Sequence, residues 1–236
     1  MLIVKYCPKK YHISTTETIQ IGTLNYYKKS DNLFIADPFE GHHEHIIEDS
    51  HKTIKIQRDE TVKISDGRLS ASLTINPGGK LELESQFPNV YIFCCSLVER
   101  PSIGHAKSIS DEYDAFYIVN DPNGFMQLVE QQLRWLFRPA DKKPRKIKML
   151  HAHGGVKYVD HRSTSYGQAD PDRQIATLDH IFTKPRTSPV AEHVAFEANQ
   201  EYRFAWVGLD EQDYIVPVED EPIYVRTNPF SFVTSY

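Results

Sequence analysis

Short stretches with a period of two dominate the first half of the chain, and two segments with a helical period stand out in the second. Leu2 to Cys7 is apolar-rich and ends at Pro8, and Ile19 to Tyr27 is β-rich around Gly22. Thr53 to Gln57 alternates strictly between polar and apolar, the pattern of a half-buried strand. Thr61 to Ile64 and Arg68 to Ile75 flank Ser65-Asp66-Gly67, and an Asp-Gly pair between two such runs predicts a hairpin. Asn76-Pro77-Gly78-Gly79 predicts the next turn, with Leu81 to Glu84 and Val90 to Leu97 as the following strands.

Both helices announce themselves by the same device. Asp121-Pro122 places a capping carboxylate before a proline at the first helical position, and Phe125, Met126, Leu128, Val129, Leu133, Leu136 and Phe137 follow at helical spacing until Pro139. Asp170-Pro171 repeats the device, with Ile175, Leu178, Ile181 and Phe182 before Pro185. Ile147 to Ala152, Val156 to Asp160, Glu201 to Val207 and Tyr214 to Val218 read as strands. The sum predicts a strand-dominated α+β fold of mixed sheets with two main helices. No composition shift marks a boundary, so a single domain over 1–236 is expected, with Pro139 to Pro144 as the best linker candidate.

Composition narrows the function classes. With 236 residues, 40% hydrophobic and 11% aromatic, the chain buries a real core and is not globally disordered. A net charge of −5 excludes a surface basic enough to coat nucleic acid throughout. No apolar run approaches the ~18 residues of a spanning helix, so no membrane partner is expected. The N-terminal apolar run is too short for a secretory signal. Three cysteines, two of them adjacent, argue against a disulfide scaffold and for a reducing, cytoplasmic location. Nucleophile-elbow, P-loop and dinucleotide glycine motifs are all missing.

Several polar clusters carry candidate chemistry. His42, His43 and His45 have metal-ligand character, and a strand would place His43 and His45 on one face. Their polar surroundings after Asp37-Pro38 favour a solvated loop. Lys142, Lys143, Arg145, Lys146 and Lys148 crowd five cations into seven residues, a candidate phosphate contact whose alternative is a solvated loop entering a strand. From Glu201 onward, Tyr202, Phe204 and Trp206 take one strand face and Glu201, Arg203 and Ala205 the other. The aromatic face should be core. The charged face is either a surface pair of little weight or a ready-made polar ligand site.

Collinear short motifs carry a resemblance. Lys5-Tyr6, Ile21-Gly22-Thr23-Leu24, Ala36-Asp37-Pro38-Phe39-Glu40-Gly41, Phe93-Cys94-Cys95-Ser96, Tyr158-Val159-Asp160, Lys184, Phe196-Glu197 and Glu201-Tyr202-Arg203 resemble, in order, an uncharacterised bacterial and phage family. Three residues separate Glu197 from Glu201, where that family has one. The family brings no established activity. Lys5, Asp37 and Glu40 are expected as a charged cluster near the first strands, with Glu197 as a further member.

Tyr11-His12-Ile13-Ser14-Thr15 is similar to the first-strand motif of ADP-ribosyltransferases that modify nucleic acids or proteins, and Gln200-Glu201-Tyr202 to their last catalytic strand. That resemblance implies NAD as a substrate and a macromolecular acceptor, in phage–host conflict or as a toxin. It implies Glu201 as the catalytic carboxylate and His12 as the ribose ligand. Ser14, Tyr26, Tyr27 and Arg203 would line the cofactor, with Tyr26, Tyr27 or Tyr113 as the central aromatic. A fixed carboxylate would stabilise the oxocarbenium-like charge that develops as the nicotinamide–ribose bond breaks. If Leu2 to Cys7 is the first strand, however, Cys7 stands where His or Arg is wanted. Two other classes stay open: a non-enzymatic protein- or nucleic-acid-binding module using Lys142 to Lys148, with Lys5, Asp37, Glu40, Glu201 and Arg203 as a buried ion network, and a metal-dependent hydrolase built on His42, His43 and His45.

Overall fold

A computed structural model describes residues 1–29, 42–48, 60–65, 70–76, 80–86, 88–143, 145–160, 181–186, 200–227 and 233–235. The described elements are β1 (Leu2–Cys7), α1 (Ile13–Thr16), β2 (Thr18–Thr23), α2 (Leu24–Lys28), β3 (His42–Glu48), β4 (Glu60–Ser65), β5 (Ser70–Asn76) and β6 (Lys80–Gln86). They continue with β7 (Tyr91–Val98), α3 (Ile103–Ile109), β8 (Ala115–Val119), α4 (Pro122–Leu136), β9 (Lys148–Gly155) and β10 (Lys157–Asp160). The last are β11 (Thr183–Arg186), β12 (Glu201–Leu209), β13 (Ile223–Arg226) and β14 (Val233–Ser235). The fold is mixed α+β, with an antiparallel main sheet and few helices. Contacts divide the chain into two compact units, one of Met1–Glu40, Asn89–Val156 and Pro189–Tyr236, the other of Gly41–Pro88 and Lys157–Ser188.

The first unit is organised by β7. Its run Tyr91-Ile-Phe-Cys-Cys is apolar without alternation because both of its faces are covered. β12 pairs along one edge, from Glu201↔Ser96 to Trp206↔Tyr91. The other edge is shared, with β1 beside residues 96–98 and β2 beside 91–92. β8 and β14 extend the sheet beyond β1, and β9 extends it beyond β12.

Side chains then sort by period two. Cys7, Phe93, Cys95, Tyr117, Val119, Phe204 and Trp206 meet the apolar stripe Phe125, Met126, Val129 and Leu133 of α4. Val4, Tyr6, Val98, Phe116 and Ile118 meet Ala106 and Ile109 of α3 on the opposite face. α4 starts as its sequence requires: Pro122 sits in the first turn and the Asp121 carboxylate accepts from the Gly124 N–H at 2.9 Å. In the second unit, β3-β6-β5-β4 form an antiparallel sheet, and β10 and β11 pair in parallel.

Some expectations shift for identifiable reasons. The β-rich stretch through Tyr27 ends as a strand at Thr23, whose hydroxyl accepts from the Tyr26 N–H at 3.1 Å and starts α2. His42 to His45 lie in a seven-residue strand, not a loop, with His43 opposite Ser85 and His45 opposite Leu83. Tyr214 to Val218 makes only the isolated bridges Leu209↔Ile215 and Pro139↔Val218, since Pro217 has no N–H to donate. The strand expected at Thr53 to Gln57 and the helix expected after Asp170 fall outside the described residues, apart from the last residues of that helix, Ile181 and Phe182.

Candidate functional site

β12 answers the question its alternation posed. Tyr202, Phe204 and Trp206 pack into the core as the spacing requires. The other face is covered as well, for Arg203 is only 1% exposed and its Nε–H donates to Glu201 Oε1 at 2.7 Å. The Glu201 side chain is 11% exposed. A guanidinium this deep needs its donors matched, and the Glu201 carboxylate matches one of them.

His12 is fixed differently from a strand ligand. It follows β1 and a three-residue 3-10 turn, and caps α1. It is 4% exposed. Its Nδ1 meets the Ser14 hydroxyl at 2.7 Å, and its Nε2–H donates to the Phe116 carbonyl at 3.0 Å. Both ring nitrogens are thus engaged within the fold. Ser14 is exposed. The first strand is indeed Leu2–Cys7, and burial pushes the Cys7 thiol up to about 11.

Tyr26 and Tyr27 stand on α2 in edge-to-face contact. The Tyr26 hydroxyl accepts from Gln20 at 3.0 Å, and the Tyr27 ring lies so close over Gly22 that a Cβ there would come within 2.6 Å of it. Burial raises the Tyr27 phenol well above its usual range. Lys5 donates to the Cys94 carbonyl at 2.8 Å and lies 4.8 Å from the centre of the Phe93 ring. Asp37, Glu40 and Glu197 lie outside the described residues. The side chains of His42, His43 and His45 do too, and no metal-holding group of His, Cys, Asp or Glu occurs among the described residues.

The basic stretch is where side chains converge on open space. The chain leaves α4 at Phe137 and returns as β9 at Lys148. The connection between them is pinned by Ala140 N–H to the Pro217 carbonyl at 2.8 Å and Glu219 N–H to the Arg138 carbonyl at 3.0 Å. This holds Lys142, Lys143 and Arg145, together with Arg134 from α4, around a cavity of about 280 Å³ whose apolar wall includes Phe137, Ile147 and Met149. Lys142 occupies a left-handed conformation, φ 56°, where glycine is the easier residue. Lys146 and Lys148 flank the cavity along the chain without lining it, and Lys148 pairs with Asp213 at 3.2 Å. Arg134 pairs with Glu130 at 2.7 Å, Arg145 with Asp141, and Lys142 with Glu219 at 3.7 Å. The Lys142–Glu219 pair, with the lysine side chain 81% exposed, is worth about 0–1 kcal/mol, so an incoming anion can displace it.

No family model, no curated protein and no solved structure matches the chain. No helix among the described residues is long and apolar enough to cross a membrane.

A polar seam between α4 and β9 borders the cavity. His151 Nδ1–H donates to Glu130 at 2.6 Å, and His153 accepts from the Tyr202 hydroxyl at 2.5 Å while its Nε2 reaches Asn123 at 3.3 Å. Burial raises the Glu130 carboxyl, but its bonds from Arg134 and His151 outweigh this and hold it below the usual range. Burial, then the His151 charge, lowers His153. Because the folded state holds His153 neutral where the unfolded chain protonates it, stability falls as pH drops below about 6.5. Glu130 adds its own loss only below about 4.3. His153→Asn should therefore flatten the fall in melting temperature between pH 7.5 and 5.5; an unchanged pH profile would show that His153 does not contribute.

Sequence reasoning found the lysines and missed Arg134 and Phe137 as residues of the cavity. The signal was present for Arg134, a cation off the apolar stripe in the last turn of α4, before the basic stretch.

Proposed function

We propose that the chain is a nucleic-acid-binding module that holds backbone phosphates in the groove between the end of α4 and the start of β9. The observation that carries this is the convergence of Arg134, Lys142, Lys143 and Arg145 on one cavity. From residue 134 to residue 148, every charged side chain except Asp141 is Lys or Arg, in a chain whose net charge is −5. A local excess of cations on a globally acidic chain favours a phosphate polymer at this one place over the rest of the surface. A labelled oligonucleotide titrated onto the protein tests the reading, with poly-glutamate as competitor. Displacement only by nucleic acid supports it. Displacement by poly-glutamate at equal charge concentration would point to an acidic protein partner and overturn it.

A second reading is ADP-ribosyl transfer from NAD on an ADP-ribosyltransferase-like scaffold. It draws on Glu201 opening β12 with a side chain not wholly sealed from water. Against it, Glu201 already accepts from Arg203 and His12 has both nitrogens engaged. Nicotinamide release from NAD by the wild type but not by Glu201→Gln would favour this reading over the first. We expect no release above background from either.

A further inference from the structure

We propose that the groove cuts single-stranded RNA, with His151 as the general base that takes the proton of a 2′-hydroxyl. This rests on the nucleic-acid reading above and adds the substrate class and a reaction. His151 is tied to the groove in two ways. Its Nδ1–H donates to one oxygen of Glu130 at 2.6 Å, and the other oxygen of Glu130 accepts from Arg134 at 2.7 Å. Arg134 lines the cavity. Met149 lines it too, and the pairings Gly208↔Met149 and Trp206↔His151 place Met149 and His151 on one face of β9, about 7 Å apart along the strand. A phosphate held at Arg134 therefore lies within a nucleotide's reach of the imidazole.

The ring is set up to accept a proton. With Nδ1–H turned to Glu130, Nε2 is the basic nitrogen, and it has no hydrogen-bond partner among the described residues. The side chain is 37% exposed, so a substrate can reach it. His153, two residues on, has both nitrogens engaged, by Tyr202 and Asn123. In the reaction, Nε2 takes the 2′-hydroxyl proton and the 2′-oxygen attacks the adjoining phosphorus. The bond from phosphorus to the 5′-oxygen breaks, and that oxygen takes a proton from solvent. His151 returns its proton to solvent, so no co-reactant is consumed. Arg134, Lys142, Lys143 and Arg145 offset the charge that builds on the phosphoryl oxygens. The products are a 2′,3′-cyclic phosphate and a 5′-hydroxyl. DNA lacks the 2′-hydroxyl and should bind without being cut.

Labelled single-stranded RNA and DNA of one sequence, incubated with the full chain in buffer containing EDTA, test this. The wild type should bind both, cut only the RNA, and leave 5′-hydroxyl ends. His151→Asn should bind RNA as the wild type does and cut it about a hundredfold or more slowly. Glu130 is a positioning residue. Glu130→Gln should lower kcat without raising KM, because it frees Arg134 for phosphate; a residue that only shaped the groove would raise KM instead. RNA bound by the wild type but left whole, 5′-phosphate ends, or equal cutting by identically purified His151→Asn would overturn the cleavage inference and leave the phosphate groove intact. If neither RNA nor DNA binds, the groove reading falls and this inference falls with it.

Discussion

Arg203→Met should lower the melting temperature by roughly 10 °C. The guanidinium is almost wholly buried on β12 and holds the Glu201 carboxylate at 2.7 Å. Removing it takes the Nε–H contact away from a carboxylate that is only 11% exposed, and breaking a buried pair from one side costs about 3–5 kcal/mol. A chain of this size loses about 2–4 °C per kcal/mol. Glu201→Gln keeps an acceptor oxygen for the Arg203 Nε–H and loses only the charge, so it should melt between the variant and the wild type. Thermal denaturation followed by circular dichroism separates these outcomes. An Arg203→Met protein melting within about 2 °C of wild type would show that the pair is not structural and would reopen a ligand-binding role for this face.

The sequence was informative where local rules act alone. Asp121-Pro122 gave the start of α4 because capping is settled within one turn, and the β12 aromatics gave their own face because period two is a property of one strand. It was silent where the answer depends on what lies opposite. The Glu201–Arg203–Ala205 face could be solvent, cleft or core, and only the neighbouring elements decide that it is covered. His12 looked like a strand ligand because its short motif matched one, yet the turn after Pro8 rotates it inward onto the Phe116 carbonyl, 104 residues away. Tyr26 and Tyr27 left the strand for a one-turn helix because of a single hydroxyl on Thr23. β8 was overlooked although Ala115 to Val119 is an unbroken apolar run buried at every position. The basic groove was half legible. Its lysines are consecutive in sequence, while Arg134 and the apolar wall join them only through the way the chain turns from α4 into β9.

The second large effect concerns that groove. Lys142, Lys143 and Arg145 are exposed, so reversing all three charges to Glu should leave the fold melting near the wild-type temperature. It should remove three of the four cations that face the cavity, and oligonucleotide binding with them. Retained binding at wild-type strength would mean that phosphates are held elsewhere.

The salt dependence of binding tests the central claim most directly. Each phosphate contact on a single strand contributes about −0.7 to the slope of log affinity against log salt. Four contacts predict a slope of about −3 for the wild type, a loss of roughly fiftyfold between about 50 and 200 mM salt, and a slope shallower than about −1 for the triple Glu variant. A wild-type affinity that does not change with salt, or a triple variant that keeps the wild-type slope, would contradict the account.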